Sequence, residues 1–109
     1  MSRQKGNAAE DKAAAYLQEE GFTIVERNFY AKKMGELDII AQKEGVLHFV
    51  EVKSGSGFDP VYNLTPSKLH KVINSAQLYM KQKGLDIPFC IDALIVSDEG
   101  IELLENITL

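Results

Sequence analysis

Three residues stand out by type and spacing: Asp38, Glu51 and Lys53. Asp38 lies within Leu37-Asp-Ile-Ile-Ala and Glu51 within Phe49-Val-Glu-Val, so both acids are flanked by strong core formers. Glu51 and Lys53 are two positions apart and share one face of a strand, as do Glu36 and Asp38. If Glu44-Gly45 is a two-residue turn, Lys43 pairs with Val46. Asp38 then falls opposite Glu51, and Glu36 opposite Lys53; a bulged turn would shift this register by one. Directly opposed residues have Cβ atoms roughly 4.5–5.5 Å apart, and like charges there are destabilising. Two acids so held call for a cation, and oxygen-only ligands select a hard one, Mg²⁺ or Mn²⁺. An ammonium at Lys53 would orient an attacking water or stabilise charge developing on a phosphate. The structural alternative puts Glu51 and Lys53 in solvent on an edge strand, with Asp38 paired to a lysine. Spacing alone does not choose between the two.

The elements that must position these residues read as α-β-β-β-α-β-β. A first helix is expected from Gly6 to Glu20, with Ala9, Ala13, Tyr16 and Leu17 at helical spacing and Gly21 as its stop. Strands are expected over Phe22–Phe29, Glu36–Gln42 and Val46–Lys53. Ser54–Leu64 reads as a loop, rich in glycine and broken by Pro60. A long helix follows, with Thr65 as N-cap, Pro66 at its first position and Gly84 as its end. Its apolar stripe is Leu69, Val72, Ile73, Ala76, Tyr79 and Met80. The nearly continuous apolar run Phe89–Val96 predicts a central strand covered on both faces, and Ile101–Leu104 a short last strand.

The chain has 109 residues, the length of one domain, with 45 % hydrophobic and 26 % charged residues as in soluble globular proteins. No apolar run is long enough to span a membrane, and the N-terminus lacks the apolar core of a signal peptide. The single cysteine, Cys90, excludes an internal disulfide and reads as a buried reduced thiol, consistent with a cytoplasmic protein. A net charge of −4 argues against nucleic acid until its distribution is considered. Residues 89–109 carry five acids and no Lys or Arg, whereas residues 61–88 carry Lys68, Lys71, Lys81 and Lys83 against Asp86 alone. A mildly acidic whole can therefore still present a basic face. His48 and His70 read as ordinary side chains rather than ligands.

Gly35-Glu-Leu-Asp-Ile-Ile-Ala, a short turn, and Phe49-Val-Glu-Val-Lys resemble the active-site hairpin of the PD-(D/E)XK nuclease superfamily. More closely, the ordered set of motifs resembles the YraN-type family of small bacterial proteins, themselves similar to archaeal Holliday-junction resolvases. Gly6-x-x-x-Glu10-x-x-Ala13-x-x-Tyr16-Leu17 resembles that family's first helix, and Gly21-Phe22 with Arg27-Asn28 the stretch after it. Thr65-Pro-x-Lys68-x-x-Lys71 with Ala76-x-x-Tyr79 resembles the helix after the catalytic strand, and Asp92 matches an aspartate of the next strand. Three positions depart from the pattern: Ala9 replaces a second glycine, the Phe58–Tyr62 stretch differs, and no arginine precedes Asp92.

The resemblance implies a restriction-endonuclease-like, three-layer αβα core with a central mixed sheet. It implies that Asp38 and Glu51 bind the metal with the Val52 carbonyl, that Lys53 is the motif lysine, and that Glu10 faces the site. For Glu10 the alternative is an exposed first-turn acid complementing the helix dipole. The expected activity is metal-assisted hydrolysis of DNA, branched or linear, with Lys68, Lys71, Arg27, Lys32 and Lys33 as candidate backbone contacts. A resolvase acting symmetrically would need two sites and hence a homodimer. The rival expectation is a non-catalytic nucleic-acid-binding or adaptor module that keeps the fold.

Overall fold

The expected hairpin is present, and a five-stranded sheet is built around it. The computed structural model describes residues 8–55 and 65–108. The chain runs α1 (Ala8–Glu19), β1 (Thr23–Tyr30), a one-turn 3₁₀ helix (Lys32–Met34), β2 (Glu36–Lys43), β3 (Val46–Ser54), α2 (Pro66–Lys83), β4 (Phe89–Ser97) and β5 (Gly100–Leu104). Positions 56–64 of the expected loop, and the expected helix start at Gly6, lie outside the described residues. The strands are ordered β1-β2-β3-β4-β5, with β3 and β4 parallel and the other neighbours antiparallel. The parallel pair requires a crossover, and α2 supplies it.

Each helix covers one face of the sheet, giving the three-layer α/β core. Ala13, Ala14 and Leu17 of α1 pack with Phe22, Ile39, Ala41, Val50, Leu94 and Val96. Val72, Ala76, Tyr79 and Met80 of α2 pack with Leu47, Phe49, Ile40 and Ile91 on the other face. Tyr79 meets Phe29 and Phe49 edge-to-face at centroid distances of 5.0 and 5.9 Å. The α2 ends are as expected. The Thr65 side chain accepts from the Lys68 N–H, and Gly84 closes the helix at φ 64, a left-handed cap that costs glycine least. β4 is buried from Ile91 to Val96, the pattern of an interior strand.

Two local readings are corrected. The buried side of α1 is Glu10, Ala13, Ala14 and Leu17, while Ala9 and Tyr16 are half-buried at its margin. The β2–β3 turn is the expected two-residue one, with Glu44 at φ 53 and Gly45 at φ 82, and Lys43 pairs with Val46. However, the ladder ends at Ile39–Val50, so Asp38 and Glu36 form no register pairs with Glu51 and Lys53. Directly opposed carboxylates would repel one another, and the strands part where that repulsion would begin.

Candidate metal centre

The parted strands remain connected through the acids. The Val52 N–H donates to Asp38 Oδ2 at 2.8 Å. The Asp38 backbone in turn favours the charged form of the nearby Glu51 carboxylate. An extended residue points its N–H and C=O to the same side of the strand, so the Val52 carbonyl also faces the gap that β2 leaves. Glu51 is buried at 8 % exposure, and its Oε2 has no hydrogen-bond partner among the described residues. A buried, unpaired carboxylate oxygen is costly and marks a group awaiting a ligand or a proton.

The electrostatics agree. Burial pushes Glu51 up to about 8, aided by the charge of Asp38 and opposed by Lys53. Burial also pushes Asp38 up to about 6; the Val52 hydrogen bond and Lys53 oppose this, and the charges of Glu10 and Glu36 add to it. Glu36 therefore belongs to the same electrostatic neighbourhood. Lys53, two residues along β3, follows Glu51 on the face of Leu47 and Phe49.

Glu10 is 6 % exposed, which excludes the reading of an exposed first-turn acid. Its Oε1 accepts from Arg27 Nη2 at 3.1 Å and from Arg27 Nε at 3.3 Å; its Oε2 accepts from Asn28 Nδ2 at 3.1 Å. Adjacent strand residues normally point to opposite faces. Asn28 at φ 57 breaks that alternation, so Arg27 and Asn28 both reach the same carboxylate. Arg27 also donates to Asp11 at 2.7 Å. The Nε and Nη2 groups of Arg27 are thus engaged by two acids, and its side chain is 33 % exposed. Lys32, Lys33, Lys68 and Lys71 are exposed.

A second cluster was missed. His48 Nδ1 lies 2.6 Å from Asp92 Oδ2, and Cys90 Sγ lies 3.2 Å from His48 Nδ1 and 3.3 Å from Asp92 Oδ1. Among the described residues, this is the group whose His, Cys and acidic ligand atoms converge closely enough to hold an ion. The two-residue step from Cys90 to Asp92 was the visible signal; the approach of His48 depends on the β3–β4 register.

A family model described as "Uncharacterised protein family UPF0102" matches residues 9–96. The chain belongs to the UPF0102, or YraN-type, family. Among similar UPF0102 proteins, one from Wolinella succinogenes is 60 % identical over 109 residues, the full length of both chains. One from Sulfurovum sp. is 58 % identical over 105 residues, covering 95 % of this chain and 93 % of its own. One from Helicobacter pylori strain P12 is 57 % identical over 106 residues, covering 97 % and 92 %. The UPF0102 match spans both acids of the hairpin, Lys53, Glu10 and Asp92. Among the described residues, no helix is long and apolar enough to cross a membrane.

Proposed function

We propose that this chain is a divalent-metal-dependent endonuclease that hydrolyses phosphodiester bonds in DNA. The observation that carries the reading is the buried, unpartnered Glu51 Oε2 beside Asp38. Two carboxylates and the Val52 carbonyl form an all-oxygen donor set, which fits Mg²⁺ or Mn²⁺. Such an ion, when bound, supplies Lewis-acid polarisation of a phosphate oxygen and a more acidic water.

The chain's own residues do the rest. Asp38 and Glu51 would hold the ion, and the hydrogen bond from the Val52 N–H orients the Asp38 carboxylate. The Lys53 ammonium donates to the attacking water or to the phosphate oxygen on which charge develops. Arg27 and Asn28 hold Glu10 in place on α1, where its charge reaches Asp38. Lys33, Lys68 and Lys71 are exposed for phosphate contact, and Lys68 and Lys71 flank the positive N-terminal end of α2. Branched DNA is the favoured substrate class through the resemblance to resolvases, and a homodimer is the matching assembly.

The test compares wild type with Lys53→Ala and Asp38→Ala on labelled branched and linear DNAs, with Mg²⁺ or Mn²⁺. Cleavage by wild type should fall on the order of 100-fold or more in either variant. Equal cleavage by wild type and Lys53→Ala refutes the mechanism. Binding without cleavage by wild type on every substrate favours the non-catalytic module.

A further inference from the structure

The sheet carries a second convergence of ligand atoms, on the face opposite Glu51. Side chains alternate along β3, so His48 lies on the α1 side with Val50, and Glu51 on the α2 side with Phe49. The parallel register sets His48 beside Cys90 and Val50 beside Asp92. Cys90 and Asp92 are two apart on β4 and so share the His48 face. Asp92 is fully buried and His48 nearly so, while Cys90 is half-buried and leaves an approach from solvent.

We propose that His48, Cys90 and Asp92 form a metal site separate from the acidic pair, suited to a borderline-soft divalent cation such as Zn²⁺. One nitrogen, one sulfur and one oxygen are a Zn²⁺ donor set rather than a Mg²⁺ one. Bonds of roughly 2.0–2.3 Å in a tetrahedron imply ligand–ligand spacings of about 3.4–3.6 Å. The two sulfur contacts, at 3.2 and 3.3 Å, lie close to that spacing. The 2.6 Å contact of His48 Nδ1 is to the other carboxylate oxygen, Oδ2, and would have to open by about 0.8 Å for an ion to bridge the two atoms.

The carboxylate is also braced from outside, as metal ligands commonly are. The Asn106 N–H donates to Asp92 Oδ1 at 2.9 Å, with Asn106 held at φ 56. The next residue, Ile107, donates its N–H to the Ile91 carbonyl at 2.8 Å. The segment after β5 thus folds back onto β4 at the site, and the ion would clasp β3, β4 and this segment together. Phe22 meets the His48 ring edge-to-face at 4.9 Å and limits its reorientation.

The proton balance is simple. Asp92 binds through a carboxylate oxygen. His48 binds through Nδ1, so a hydrogen shared there with Asp92 moves to Nε2 through solvent. The Cys90 thiol gives its proton to solvent and binds as thiolate, so one proton is released per ion. Three protein ligands leave a fourth position for water, the pattern of an open site.

The experiment uses the full chain, stripped with chelator and titrated with Co²⁺ as a spectroscopic probe, then with Zn²⁺. Wild type should show a thiolate-to-metal charge-transfer band on adding Co²⁺, and Zn²⁺ should abolish it. Cys90→Ser should lose that band, and His48→Ala should bind Co²⁺ about tenfold more weakly or worse. Asp38→Asn should retain the band, which separates this site from the acidic pair. Zn²⁺ should raise the melting temperature of wild type but not of Cys90→Ser, whose metal-free circular dichroism confirms its fold. No charge-transfer band in wild type, or a band unchanged in Cys90→Ser, overturns the proposal.

Discussion

Replacing Glu51 by Gln should stabilise the metal-free protein at alkaline pH and remove its response to Mn²⁺. Glu51 has an ordinary value of 4.5 and is raised to about 8 in the fold, first by burial and then by the charge of Asp38. The folded state therefore binds the proton more tightly than the unfolded one. The penalty is absent below about pH 4.5, grows as pH rises towards about 8, and is complete above it. At about 1.4 kcal/mol per unit, a shift of this size corresponds to roughly 5 kcal/mol. Asp38 and Glu51 push on each other, so part of that penalty belongs to the pair, and one substitution should recover about 2–4 kcal/mol. For a domain of this length that is a rise of roughly 10 °C in melting temperature. The assay is thermal unfolding with chelator at pH 5 and pH 8.5, repeated with Mn²⁺. At pH 5 the wild-type carboxyl is protonated and nearly isosteric with the amide, so the two proteins should melt close together. At pH 8.5 Glu51→Gln should melt higher without metal, and Mn²⁺ should raise wild type alone. A lower melting temperature for the variant at pH 8.5, or an undiminished Mn²⁺ response, would refute the reasoning.

Two further outcomes test the supports of the site. Arg27→Met should cost about 2–3 kcal/mol in chemical denaturation, because it strands the buried Glu10 carboxylate; the partly exposed guanidinium keeps the loss below that of a fully buried pair. An unchanged midpoint would show that Glu10 has another sufficient partner. Phe49→Ala should cost about 3–5 kcal/mol by the same measurement, since the ring is fully buried between Tyr79 and Phe89. A loss under about 1 kcal/mol would mean that α2 does not pack on the sheet as described.

Much of the site's framework was legible before any coordinates. The Lys43–Val46 pairing followed from a turn at Glu44-Gly45, and the α2 ends from Thr65, Pro66 and Gly84, because caps and tight turns depend on few residues and local backbone angles. Less legible was the parting of β2 from β3 at Asp38, which reflects repulsion and desolvation rather than propensity. Glu10 was ambiguous because an acid in a first helical turn suits the dipole whether exposed or buried. Its place with Ala13, Ala14 and Leu17 on one helical face was nevertheless a readable sign of burial.

What the sequence determined by itself is local: strand and helix periodicity, the hairpin that brings Asp38 towards Glu51 and Lys53, and the ordered motifs of the UPF0102 family. What only the tertiary structure decided is non-local. The engagement of Arg27 by Glu10 and Asp11 joins α1 to β1 and depends on the left-handed Asn28. The meeting of His48 with Cys90 and Asp92 depends on a parallel register across the whole α2 crossover. No turn geometry sets that register. It is chosen by which side chains pack beneath α1 and α2, and packing of that kind is a property of the assembled core.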